Sequence, residues 1–399
     1  MRESQDWSGH VSRATFLHAL SDRRVVAFPV DRPEQEKPAS SAPESAGARI
    51  RGLDGLRAFS ISFVLLGHLA GTQNFPAVVA ATLRPIPLAS MGVRIFFVIS
   101  GFLITSLLID EERRTGTVSL RRFYFRRTLR IFPPFYVYIA VVALFAAMGR
   151  ISLRPGDVLH AATYTMNYHH DRAWYLGHTW SLAVEEQFYL LWPFLYRVAR
   201  RRRVPLLVAY ILVAPIWRFA TLRLLPAQSA GIGETFFTTA DSIAMGCLLA
   251  IVRPRLLDHR VYRRIVDSPA YLLIVPMLLV IGWLERYAKL DVTLCMSAQN
   301  LLIAVFVERV TRSSRGVVSS ILNARVVALI GVWSYSIYLW QQPLLNRRDP
   351  HSAFTAFPLN LILAFALAAT SYYVVEKPAL RLRQRLEARL FPRRPIRVA

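Results

Sequence analysis

The chain has 399 residues, 54% of them apolar, with a formal net charge of +24. A soluble protein this basic would suggest nucleic-acid binding, but no helix-turn-helix, zinc finger or arginine-and-aromatic sheet motif stands among its polar segments. Apolar composition combined with basic charge points instead to a polytopic membrane protein with cationic loops, and no nucleic-acid partner is expected.

Nearly all the cations are arginine, Lys37, Lys289 and Lys377 being the only lysines. Arginine presents a planar fork that matches phosphate and carboxylate geometry. The first 48 residues are polar and rich in Pro, Ser and charge, as in "DRPEQEKPASSAPESAGAR". They carry no signal-peptide pattern and are expected to form a disordered cytoplasmic arm, 1–48.

Beyond the arm, apolar runs long enough for a ~30 Å hydrocarbon slab recur about ten times. They begin near Leu56, Leu88, Ile131, Thr179, Val204, Thr235, Tyr271, Val292, Val326 and Phe354. Loops such as "ERRTGTVSLRRFYFRR", "RVARRRRV" and "RPRLLDHRVYRR" hold most of the arginines, whereas "GTQNFPAVVAATLRPIPLAS" and "ERYAKLDV" are poor in cations. The positive-inside bias then places both termini in the cytoplasm. The expected fold is all-α, with about ten transmembrane helices over residues 49–380 and a basic cytoplasmic tail over 381–399.

The first run, "AFSISFVLLGHLAG", holds His68 deep among apolar residues. An ionisable ring there needs a partner or a water-filled cavity, which makes it a functional candidate. Arg57 precedes it by eleven positions, three helical turns, so the two share one face roughly 16 Å apart. The pair is expected to line one shaft, with Arg57 at its cytoplasmic mouth. The second run contains "VISGFLIT", where Ser100 lacks the strand-to-helix elbow of a hydrolase nucleophile. It is read as a small residue allowing close helix approach or a kink in a donor channel.

Arg122, Arg126, Arg127 and Arg130 recur at three- and four-residue spacing, so they form a stripe on a helix lying at the inner surface. The stripe suits lipid headgroups or the phosphates of a nucleotide-bearing donor. It leads into "FPPFY", whose prolines are expected to start or kink the next membrane helix. The following polar loop contains His160, His169, His170 and His178, without the second spaced ligand pair that a metal site needs. No metal is expected there.

The run "TWSLAVEEQFYLLWPF" carries Glu185 and Glu186 side by side. A carboxylate beside an imidazole fixes its tautomer and raises its basicity, so Glu185 is expected to orient His68. Structural pairing of the glutamates with Arg94 or Arg218 is the alternative. Cys247 and Cys295 lie in apolar segments and are read as small core residues.

These pieces, with "TTADSIAMGCLLA", "WSYSIYLWQQPLL" and "SYYVVEKPAL", stand in an order that resembles acyltransferase family 3. That is a family of polytopic membrane enzymes that O-acylate sugars of bacterial surface polysaccharides, peptidoglycan, macrolides and related glycosides. The resemblance runs from about Arg51 to Arg383. It implies a bacterial inner-membrane protein that takes an acyl group, acetyl in the commonest case, from cytoplasmic acyl-CoA. The acceptor would be a hydroxyl of a carbohydrate or lipid-linked glycan.

His68 matches the family's catalytic histidine, as general base or transient acyl carrier, with Glu185 and Glu186 in the neighbouring acidic segment. Arg57, Arg126, Arg127 and Arg130, with Ser100 and Asp241, are expected on the donor- and substrate-binding side. The co-substrate is acyl-CoA, no cofactor is held permanently, and membrane lipids are the remaining partners. Two positions depart from the pattern: Thr239 stands where arginine is frequent and Gln341 where histidine is, which puts their polar roles in doubt. Some members append a hydrolase-like domain, and none is expected here after the last helix. The rival reading is a transporter or flippase of a glycan intermediate, which calls for internal repeats or paired broken helices that are not evident.

Overall fold

The computed structural model describes residues 52–225, 229, 231–287, 292–312, 316–349 and 352–391. The N-terminal arm and the last eight residues lie outside that range. Among the described residues the chain is helical, with no strand.

The long helices are α1 (Leu53–Leu69), α2 (Leu88–Thr115), α3 (Leu120–Ala147), α4 (Thr179–Ala199), α5 (Arg203–Leu224) and α6 (Asp241–Asp258). They are followed by α7 (Ile274–Tyr287), α8 (Val292–Arg312), α9 (Arg325–Leu344), α10 (Leu359–Ser371) and α11 (Lys377–Leu390).

Five segments are long and apolar enough to cross a membrane: α2, α3, the run Trp174–Leu224 that contains α4 and α5, Thr293–Arg312, and Leu359–Leu390. A sixth joins two helices across a 57° bend, Arg260–Asp267 with Pro269–Glu285. Only 22% of the apolar window in Trp174–Leu224 is buried inside the protein. Its outer face, with Leu190, Phe194, Leu212 and Ile216 exposed, therefore needs an apolar solvent, as lipid provides. The chain is a multi-pass membrane protein.

The helices meet through small residues. Gly331 of α9 packs against the backbone of α1 so closely that a Cβ there would lie 1.9 Å from the Asp54 carbonyl oxygen. Gly92 of α2 meets the Ser60 carbonyl of α1 at 2.7 Å by the same measure. These contacts hold α1 between α2 and α9. Close backbone approach is how helices gain van der Waals contact where water gives no hydrophobic push between them.

One expectation changes here. The arginine stripe is no separate surface helix, because α3 runs unbroken from Leu120 through Pro133 and Pro134 to Ala147. Ser119 caps it by accepting from the Arg122 backbone N–H at 3.3 Å, and buried Pro134, Phe135 and Tyr138 secure the proline turn by packing. The Ser-Gly-Phe segment at Ser100–Phe102 lies inside continuous α2. The basic segment from 381 is helical over its described part. After a π turn at Tyr372–Glu376, helix α11 continues to Leu390, and its Glu387 accepts from Arg122 and Arg126 of α3.

Candidate functional site

Two cavities lie within the helices. The larger, about 770 Å³, is lined by His68, Trp174 and His178 together with cations and a few acids. The smaller, about 190 Å³, has an apolar wall that includes Phe96, Leu103 and Leu107 and a basic set consisting of Arg57, Arg126, Arg127, Arg130 and Arg383. Val93 of α2 and Tyr338 of α9 line both, so the cavities adjoin there. Tyr338 is fixed at that junction: its hydroxyl is 2.5 Å from the Ser181 Oγ and donates to the His178 carbonyl at 2.9 Å.

His68 sits near the end of α1, half-buried, and its Nδ1 lies 2.8 Å from Oε1 of Gln341 on α9. The Gln341 amide nitrogen faces two other acceptors, the Gln342 Oε1 at 3.0 Å and the Tyr338 carbonyl at 3.4 Å. That arrangement turns Oε1 towards the imidazole, so Nδ1 carries the proton and Nε2 keeps its lone pair. Trp174 packs edge-on against the His68 ring at 5.3 Å. Its indole N–H donates to the Gln342 carbonyl at 2.7 Å, and the Gln342 amide returns a bond to the Trp174 carbonyl at 2.9 Å.

The expected bond between Glu185 and His68 does not form. Glu185 lines the smaller cavity and His68 the larger. Arg127 of α3 takes both glutamates, with Nε donating to Glu186 at 3.0 Å and Nη2 to Glu185 at 3.3 Å. Its guanidinium also lies 3.6 Å from the centre of the Tyr189 ring. The Tyr189 hydroxyl is 2.6 Å from both Glu185 Oε1 and Ser100 Oγ, and the Ser100 hydroxyl donates to Glu185. Two carboxylates shielded from water need a cation within reach, and Arg127 is the one α3 supplies.

The alternative pairing with Arg94 or Arg218 fails as well. Arg94 donates to Gln299 and lies 3.7 Å from Glu285. Arg218, fully buried, pairs with Asp241 at 2.5 Å. Asp241 also accepts from the Asn300 amide at 3.0 Å. It lines neither of these two cavities, and at the start of α6 this buried carboxylate is tied to a buried cation. Arg57 and His68 do share α1, but they open into different cavities and not into one shaft.

Of the five arginines on the smaller cavity, Arg127 and Arg126 are engaged, Arg126 by Glu387. Arg57, Arg130 and Arg383 form no ion pair among the described residues. Glu376, whose side chain accepts from Ser336 at 3.0 Å, feels the charges of Arg57 and Arg130 without pairing to either.

Sequence reasoning missed Arg383, which comes from what reads as a basic tail, and Gln341, whose neutral amide gives no signal without a partner. It also missed Trp174, one aromatic residue in an aromatic loop. His169 lies 3.1 Å from Asp157 and stacks on His160 at 4.5 Å.

The half-buried imidazole thus lines a larger polar cavity that adjoins, at Val93 and Tyr338, a smaller apolar one edged with cations. Family comparison makes this specific: the acyltransferase family 3 model, described as an acyltransferase domain, matches residues 50–375, and the chain belongs to that family. Similar curated proteins are the O-acetyltransferase OatA of Staphylococcus aureus (strain NCTC 8325 / PS 47), 26% identical over 362 residues, and the putative peptidoglycan O-acetyltransferase YrhL of Bacillus subtilis (strain 168), 27% identical over 363 residues. A third is the peptidoglycan O-acetyltransferase OatA of Listeria monocytogenes serovar 1/2a (strain ATCC BAA-679 / EGD-e), 26% identical over 366 residues. Each alignment covers 82% of this chain but 54–56% of the relative, so the chain spans little more than half the length of those proteins. No solved structure matches.

Proposed function

We propose that the chain is an O-acyltransferase of the bacterial inner membrane, crossing it about ten times with both termini in the cytoplasm. It would move an acyl group, acetyl in the simplest case, from cytoplasmic acyl-CoA to a hydroxyl of a carbohydrate. The observation that carries this reading is the junction at Val93 and Tyr338 between a cavity whose Arg57, Arg130 and Arg383 make no ion pair among the described residues and one that holds His68. The names of the three relatives, all O-acetyltransferases, support the transfer it assigns.

In this reading Arg57, Arg130 and Arg383 hold the CoA phosphates by charge-assisted hydrogen bonds, and Arg126 adds charge from the edge. The apolar wall takes the pantetheine arm and delivers the thioester to the junction. His68 Nε2 removes the proton from an acceptor hydroxyl in the larger cavity as its oxygen attacks the thioester carbonyl. The C–S bond breaks, the CoA thiolate leaves and takes up the proton from the imidazolium, and the acyl ester remains on the sugar. Gln341 keeps the base in the right tautomer. Arg127, with Glu185 and Glu186, holds α3 to α4 and so fixes the channel wall.

The test is transfer of label from acetyl-CoA to glycan by the purified protein in nanodiscs. General-base help is worth about 10²–10⁴ in rate, so His68→Ala should lose at least that much while still binding CoA. Transfer by that variant at the wild-type rate would remove His68 from the chemistry. Transport of an unmodified glycan, with no label transferred, would favour a flippase.

A further inference from the structure

The charge in the larger cavity is unbalanced. Arg172 is neutralised by Glu234 at 2.5 Å and Arg94 by Glu285. Arg84, Arg347 and Arg348 also line the cavity, and none of them makes an ion pair among the described residues. Arg84 is positioned by one bond from its Nε to the Ala70 carbonyl at 3.0 Å, which leaves its terminal nitrogens free of that contact. The stem of Arg347 lies along Gly71, where a Cβ would come within 2.8 Å of its Cδ.

Both neighbouring arginines gather on Trp174: the guanidinium of Arg347 is 5.4 Å and that of Arg348 5.8 Å from its ring centre. A third neighbour of that indole is His68, at 5.3 Å. Trp174 thus contacts both the proposed base and a pair of cations, each within 6 Å of its ring, a reach that a mono- or disaccharide covers. On the sidedness implied by the loops, all three arginines are in outer segments, where the positive-inside bias disfavours cations. Membrane topology does not account for them.

We infer that the acceptor is an anionic carbohydrate, bearing a carboxylate or a phosphate. Its charged group is held by Arg347 and Arg348, with Arg84 completing the rim, while a sugar ring lies against Trp174 and offers a hydroxyl to His68. Guanidinium forks bind both kinds of anion in two-point contacts, and the aromatic face suits the apolar side of a sugar. This inference rests on the acyltransferase reading and names its substrate class.

The test uses membranes of cells producing the full chain, supplied with labelled acetyl-CoA and acting on the glycans those cells contain. Released labelled glycan is passed over an anion exchanger, for wild type, His68→Ala, the double variant Arg347→Gln with Arg348→Gln, and the corresponding double lysine variant. The expected result is a His68-dependent label that the exchanger retains. Its yield at low acceptor should fall about tenfold or more in the glutamine pair, the worth of a charge-assisted hydrogen bond, and recover in part in the lysine pair. Unchanged acetyl-CoA binding by the purified glutamine pair shows that it is folded.

A His68-dependent label in the neutral flow-through would overturn the inference and leave the acyltransferase reading standing. So would a glutamine pair that transfers like wild type, including one that has merely lost bound anionic phospholipid. Absence of any His68-dependent label would overturn the acyltransferase reading itself, and the inference with it.

Discussion

Nδ1 of His68 on α1 and Oε1 of Gln341 on α9 lie 2.8 Å apart across 273 positions of sequence. The contact does for the imidazole what a carboxylate does in many general-base sites, but without charge: an amide oxygen accepts from Nδ1 and leaves Nε2 unprotonated. Replacing Gln341 by Leu should lower kcat by about fivefold, the rate equivalent of one hydrogen bond of ~1 kcal/mol, with little change in KM for acetyl-CoA. Gln341→His can accept the same proton and should keep most of the rate. Steady-state kinetics on both variants check this, and equal loss in the two would mean that position 341 only fills space.

Arg127 and its neighbours Arg57 and Arg130 line the same cavity, yet they should fail differently. Arg127→Ala leaves Glu185 and Glu186 without their cation, and stranding buried charge costs about 3–5 kcal/mol. The variant should therefore melt well below wild type in detergent. Arg57→Gln and Arg130→Gln break no ion pair among the described residues, so their melting should change little. Their Kd for CoA should rise by about tenfold each, the worth of a charge-assisted bond. Calorimetry and thermal melts on the purified variants separate holding the channel from binding the donor.

Salt offers an independent check on the donor side. Contacts between these half-buried arginines and phosphates weaken as the Debye length shrinks from ~10 Å at 0.1 M to ~3 Å at 1 M. CoA affinity should fall across that range in wild type and fall less in the Arg57→Gln, Arg130→Gln double variant. Parallel salt dependence in both would place the phosphates elsewhere.

The sequence made the helices easier to read than the site. The hydrophobic runs at Leu88, Thr179 and Val292 begin where α2, α4 and α8 begin, because a lipid-facing helix must be apolar over most of its length. Pro133 and Pro134 misled, since proline ends helices in water but is tolerated where packing holds the backbone. At the site, His68 announced itself by being ionisable in an apolar run. Its partner could not, because Gln341 is one amide among apolar residues and the pairing exists only once α1 and α9 are brought together. Glu185 was given to His68 because both looked catalytic, when the nearer demand on a buried carboxylate is a cation, and Arg127 lay 58 positions away in sequence.

The small residues of the Ser-Gly-Phe segment set the position of everything on α2. A Cβ on Gly101 would lie 1.9 Å from the Ile243 carbonyl oxygen of α6, and one on Gly246 would lie 2.0 Å from the Val98 carbonyl oxygen of α2. Neither neighbour is a flexible side-chain end that could swing aside, so Gly101→Val or Gly246→Val must push the helices apart. Overpacking of this kind costs about 1–3 kcal/mol or more. Because α2 also carries Val93 at the cavity junction and Ser100 against Glu185, transfer should fall further than the melting temperature alone implies. Gly116, which closes α2 with nothing within 4 Å of an added Cβ and a φ of +73°, provides the comparison. Gly116→Ala should cost about 1 kcal/mol of local backbone strain and leave transfer at the wild-type level. Equal losses of transfer in Gly246→Val and Gly116→Ala, measured at matched folded concentration, would show that helix spacing does not position the site.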